Sequence, residues 1–126
     1  MKTKRISAKL LVIVMLLSMC VNSAFAQEGT TYEAPVYNAA KNVYEISKPE
    51  QLMYLSGDWK DGAPRDGHYV LTADLDMTGY NGFTPISSIK ERCFTGVFDG
   101  QYHMIKNLVI NYPKKYVGLF GYIGDE

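Results

Sequence analysis

The sequence predicts an all-β fold whose short strands stack in layers, and three observations carry that expectation. From Phe94 to Tyr122, short apolar-spaced runs alternate with Gly, Asp-Gly and Asn turns at close intervals, the pattern left by stacked strands. From Tyr69 to Met77, the side chains of Tyr69, Leu71, Ala73, Leu75 and Met77 alternate with Val70, Thr72, Asp74 and Asp76, a period of two that gives one buried face. Against these, only the stretch from Ser47 to Ser56 carries a convincing helical signal.

Residues 1–26 stand apart from the fold. Met1 to Lys9 holds four basic and no acidic residues, Leu10 to Val21 is apolar chain interrupted only by Ser18, and Ala24-Phe25-Ala26 is a small-x-small cleavage site. That is a secretory signal peptide, with the mature chain starting at Gln27. The apolar run is shorter than the roughly 20 residues a bilayer requires. Cys20 follows the large Met19, which favours ordinary secretion over lipoprotein processing. Without the signal, nine basic residues face 13 acidic ones, and Lys114-Lys115 is the one local basic pair. Nucleic acid and anionic membrane surfaces are therefore poor partners, and no membrane insertion is expected after signal removal. Cys20 leaves with the signal, so Cys93 alone remains and no intrachain disulfide forms. Beside Phe94 it reads as a small buried hydrophobe rather than a nucleophile.

The remaining chain, taken in order, begins with residues 27–42, a flexible leader of Gly, Thr, Pro and Asn with no sustained period. Val43 to Ile46 is a short β-prone run. Ser47 stands three residues before Glu50, the spacing of a capping box. Pro49 occupies the first turn, Leu52 and Leu55 share a face, and Gly57 offers a stop. This short amphipathic helix is expected to cap something apolar. Asp58 to Gly67, with Trp59, is a loop, and the Tyr69–Met77 strand follows it. Thr78 to Gly82 turns the chain and Phe83 to Ile86 is briefly extended. Phe94, Gly96 and Phe98 then share one face, and Asp99-Gly100 is a turn dipeptide suited to positive φ. Ile105, Leu108 and Ile110 break alternation at Lys106-Asn107, as at a bend, where Asn tolerates left-handed geometry and its amide can bond to backbone or to an equivalent Asn in the next layer. Gly118 and Gly121 would let backbones approach closely.

The order Leu71-Thr72-Ala73-Asp74-Leu75-Asp76, Gly79, Pro85-Ile86, then Phe94-x-Gly96-x-Phe98-Asp99-Gly100, His103, Ile105, Leu108, Ile110 and Gly118-Leu119-Phe120-Gly121 resembles the GLUG-motif repeats of bacterial secreted and surface proteins. The resemblance covers roughly the last two-thirds of the mature chain. It implies a right-handed parallel β-helix-like solenoid of few rungs over residues 43–126, with the short helix as an N-terminal cap. Two positions depart from the pattern: Tyr102 stands where Gly often precedes the His, and Ser87 where Gly often follows Pro-Ile. Such repeats occur in adhesin-like proteins and in immunoglobulin-A-cleaving peptidases without being the catalytic part, which implies a scaffold or binding array. The chain reaches Gly-Leu-Phe-Gly one layer into what should be several, so further repeats or a capping partner are expected.

Few residues invite chemistry. Asp74, Asp76 and Asp99 are calcium candidates, but a calcium site gathers six to eight oxygens and the alternative is that these carboxylates cap turn amides. Asp74 and Asp76 share one side of their strand, which also suits an acid/base pair acting on a polysaccharide, given a groove. His68 and His103 lack any metal-binding spacing. Ten tyrosines and Trp59 invite glycan stacking, although Tyr is also an ordinary strand former. Taken together these features lead one to expect a secreted or cell-surface, non-enzymatic module without catalytic residue or cofactor, contacting a glycan or a host or matrix protein. The alternative is the N-terminal scaffold of a secreted peptidase or polysaccharide-active enzyme whose catalytic domain lies beyond residue 126.

Overall fold

The computed structural model describes residues 32–57 and 63–124, which belong to one compact unit. The stretch expected to be a signal peptide, the first part of the expected leader and Trp59 lie outside the described residues. Among the described residues, six short strands, one short α-helix and one 3-10 turn make up the regular structure, which is predominantly β and built from small mixed sheets.

The leader is more ordered than its composition suggests. Val36–Asn38 forms β1, which pairs antiparallel with β2, Val43–Ile46. Asn42 closes the connecting turn at φ +54, the left-handed geometry an Asn side chain tolerates. Its Oδ1 accepts the Tyr37 hydroxyl at 2.7 Å, and the Tyr37 and Tyr44 rings pack with centroids 5.0 Å apart. This cross-strand pair is what a reading for sustained periodicity overlooks.

Helix α1 spans Pro49–Tyr54, with Pro49 in its first turn. Its cap is one residue later than the Ser47–Glu50 spacing predicts. Gln51 Oε1 accepts the backbone N–H of Ser47 at 2.7 Å and of Lys48 at 3.2 Å. Glu50 instead accepts the Tyr80 hydroxyl. The reason is burial: Gln51 is 1% exposed, and a neutral amide can occupy that position where a carboxylate would lose its hydration. Leu52, Met53 and Leu55 enter the core beside Ile46, Leu71, Leu75, Met77 and Phe83.

The expected nine-residue strand is split. β3, His68–Leu71, joins the four-stranded sheet and β4, Leu75–Asp76, joins a second sheet of two strands. The expected inward face keeps Tyr69, Leu71, Leu75 and Met77 buried, but Val70 on the opposite face is buried as well, so β3 is covered on both sides where a single buried face was expected. The chain changes sheet between β3 and β4 while keeping the expected face inward. β5 is Val97–Asp99 and β6 is Ile105–Lys106, with a single 3-10 turn at Lys90–Arg92 between β4 and β5.

Apart from the β1–β2 hairpin, every pairing is parallel. β2 pairs with β3, β3 with β5, and β4 with β6. Isolated parallel bridges join Phe83 to Ile110, Ile86 to Phe120 and Phe94 to Ile123. Irregular segments follow the same order: Gly57 N–H donates to Thr84 O, and Thr95 and Gly96 N–H donate to Arg65 O. Glycine is required at two of these close approaches. A Cβ on Gly96 would lie 2.1 Å from Gly67 O, and one on Gly121 would lie 2.6 Å from Ser87 O. Gly118 has no such constraint, its nearest neighbour being Phe120 O at an ordinary 3.4 Å.

The core is unevenly covered. All of its fully buried apolar residues lie between Val43 and Phe94. Phe98, Ile105, Leu108, Ile110, Leu119 and Phe120 pack against it but stay half-buried. An aromatic column runs across the paired segments, Tyr44 stacking on Tyr69 at 5.1 Å and Phe94 on Phe120 at 5.1 Å. Tyr69 donates its hydroxyl to Pro64 O at 2.8 Å, and burial pushes its phenol well above the usual range.

Candidate functional site

The densest grouping of polar side chains from different segments lies where β4 runs beside β6. In a parallel pair, residues in register project their side chains to the same side, and Asp76 is in register with Lys106. The D-x-D of β4 therefore meets the His-Met-Ile-Lys-Asn of β6 on the outer face.

Asp74 Oδ1 accepts the Met104 N–H at 3.0 Å and lies 3.1 Å from His103 Nδ1. Lys106 Nζ stands 4.0 Å from the other oxygen. The Met104 amide, followed by the His103 contact and the Lys106 charge, lowers the Asp74 pKa below the usual carboxylate range. Asp76 Oδ1 accepts the Asn107 amide at 2.9 Å, the Thr78 hydroxyl at 2.7 Å and the Thr78 N–H at 3.0 Å. These bonds hold its pKa at about 2. Asn107 sits at φ +57, as expected for an Asn at this bend, and its amide reaches Asp76 of β4 and the following Thr78 rather than an equivalent Asn.

Asp99 is not part of this grouping. It lies on β5, in register with Val70 of the other sheet, and its Oδ1 accepts the Gln101 N–H at 2.9 Å. The turn it starts differs from expectation, because the positive φ values fall on Gln101 (+44) and Tyr102 (+62) rather than on Gly100. His103 N–H closes that turn on Gly100 O at 2.8 Å. All three candidate aspartates thus satisfy turn or strand amides. Among the described residues no three His, Cys, Asp or Glu side chains gather as a metal ion would require.

The acid/base reading of Asp74 and Asp76 gains one element that spacing alone misses, the His103 imidazole on Asp74. With the carboxylate ionised, the ring donates Nδ1–H to it and keeps Nε2 for another partner. The missed signal was the near-equal offset between the two segments: Asp74 and Met104 lie 30 residues apart, and Asp76 and Asn107 lie 31 apart. His68 begins β3 opposite Val97, a separate context. Cys93 is buried and donates its thiol to Lys90 O at 2.8 Å, the environment of a small hydrophobe rather than of an activated nucleophile.

Among the described residues, no helix is long and apolar enough to cross a membrane. No family model and no solved structure matches the chain. Over 75 residues, covering 53% of this chain, the sequence is 37% identical to Halomucin of Haloquadratum walsbyi (strain DSM 16790 / HBSQ001), a match that spans 1% of Halomucin's length.

Proposed function

We propose that this chain is a secreted or cell-surface, non-enzymatic module, a few rungs of a right-handed parallel β-helix-like solenoid that serves as scaffold, adhesion or ligand-presenting part of a larger bacterial protein. The observation that carries this reading is the recurrence of parallel pairing at an offset of about 30 residues, from Tyr69 with Phe98 to Phe94 with Ile123. Each return of the chain lies beside the previous one and shares its apolar face. The half-buried residues after Val97 then form the face on which further rungs of the same chain, or a capping partner, would pack. The resemblance to GLUG repeats supports the same architecture. The match spanning 1% of Halomucin's length is in keeping with a module of a longer protein.

Binding of the full chain to immobilised glycans and extracellular-matrix proteins, with turnover of each followed in parallel, tests the reading. Saturable binding without turnover is the expected result. Hydrolysis of any of these substrates would overturn it.

A further inference from the structure

We propose that Asn81-Gly82 is a site of spontaneous covalent modification, where the Asn81 side chain closes on the Gly82 nitrogen to a succinimide that opens to aspartate or isoaspartate. This inference is independent of the ligand-presenting reading above. Both residues are exposed and lie outside any strand or helix. The turn before them is closed by Tyr80 N–H on Met77 O at 3.0 Å, and Phe83 after them is fully buried and bridged to Ile110. Between those fixed points, neither the Asn81 side chain nor the Gly82 N–H has a hydrogen-bond partner among the described residues. Gly82 sits at φ +86, and no atom beyond its chain neighbours lies within 4 Å of where a Cβ would stand. The nitrogen is therefore open to attack chemistry that a side chain would obstruct.

The reaction balances within the dipeptide and one water. The Gly82 nitrogen gives its proton to solvent base and bonds to Asn81 Cγ; the Cγ–Nδ2 bond breaks, ammonia leaves, and a five-membered ring closes. Water then opens the ring at either carbonyl. Opening at Cγ gives aspartate, and opening at the main-chain carbonyl gives isoaspartate, with the backbone running through Cβ. Nothing is oxidised or reduced, and each conversion adds one negative charge to a chain of formal net charge zero. The other described asparagines lack one or more of the conditions met here. Asn38 donates its amide to Glu45 at 2.9 Å and precedes Ala39. Asn42 accepts the Tyr37 hydroxyl at 2.7 Å and precedes Val43 of β2. Asn107 donates to Asp76 at 2.9 Å and precedes Leu108. Asn111 is exposed, but the bulky Tyr112 follows it. Two Asp-Gly pairs are also held back, because an ionised carboxylate resists attack. In addition, Gly67 N–H donates to Pro64 O at 3.1 Å, and Asp99 Oδ1 accepts the Gln101 N–H at 2.9 Å.

Peptide mapping by mass spectrometry of the full chain, held in mildly alkaline buffer, tests the site, with an L-isoaspartyl methyltransferase assay to score isoaspartate. A gain of one mass unit at Asn81 is expected to accumulate several-fold faster than at any other described asparagine. Asn81 is expected to react in the folded chain within a few-fold of its rate in urea, whereas folding slows Asn38, Asn42 and Asn107 by an order of magnitude or more. Asn81→Gln, whose side chain would have to close a six-membered ring, is expected to remove the modification and to keep the wild-type melting temperature. Faster conversion at another described asparagine, or protection of Asn81 by folding to the same degree as Asn107, would overturn the site. An undiminished isoaspartate signal in Asn81→Gln would do the same.

Discussion

Ser87 at φ +58 and Tyr102 at φ +62 are the two positions where the chain departs from the glycines that its resemblance leads one to expect. Each therefore places a side chain in a left-handed conformation, at a cost of roughly 1–2 kcal/mol per residue. Tyr102→Gly is expected to stabilise the fold by about 1 kcal/mol, seen as a higher midpoint in urea with an unchanged slope. The opposite change belongs to Gly96, where an added Cβ would meet backbone rather than a movable side chain. Gly96→Ala should cost about 3 kcal/mol or prevent folding, and a wild-type melting curve would contradict the close approach to Gly67. Acid acts at Asp76, whose folded pKa of about 2 lies below the roughly 3.9 of an unperturbed aspartate. Its contribution is fully present above the unfolded value and is lost as pH falls through the folded one. The stability gap between wild type and Asp76→Asn should accordingly close between about pH 4 and pH 2, measured by thermal melts along that series. Asn107 was legible as a left-handed residue because Asn is a common occupant of that region; Gln101 and Ser87 carry no such sign in their own chemistry.

At the scale of elements, the existence and inward face of each piece were more legible than its ends. The helix was visible from Pro49, Leu52 and Leu55, but two overlapping spacings competed for its cap. Ser47 with Glu50 has the better residue types, yet Gln51 is the one buried and bonded, and Glu50 turns to Tyr80, a partner 30 residues away. Gln51→Ala leaves the Ser47 and Lys48 amides without their acceptor and should cost about 1–3 kcal/mol. Leu52→Asp places a charge at a fully buried position and should cost several kcal/mol; an unchanged melting temperature would show that α1 contributes little to the core. The nine-residue strand was right in parity and wrong in continuity. Period-two alternation continues through Thr72 to Asp74 although the backbone leaves one sheet for the other. Alternation records which way side chains point, and a chain that bends without slipping by one residue preserves it.

Across the whole molecule, the sequence made the predominance of short strands legible but not their pairing register, because the strands are two to four residues long and loops of unequal length separate them. That register is what brings His103 to Asp74 and Asn107 to Asp76, so the polar face of β4 and β6 was out of reach of spacing arguments within one strand. Coverage of the core differs along the chain, and hydrogen exchange should reflect it. Amides of Tyr69 and Val70, paired on both sides, should exchange slowest, and those from Ile105 to Gly124 markedly faster; uniform protection would mean that the half-buried end is covered in solution. A calcium chelator should leave the melting temperature unchanged, since Asp74, Asp76 and Asp99 are occupied by amides and hydroxyls, and a large drop would assign them a cation. The hairpin adds a polarity to the molecule. β1 lies outermost in its sheet and runs against its neighbours, whereas β5 at the opposite margin runs with them. A copy whose β5 met the β1 of another in the same orientation would pair with it antiparallel, so the parallel ladder would not continue across that junction and the two margins offer an added strand different partners.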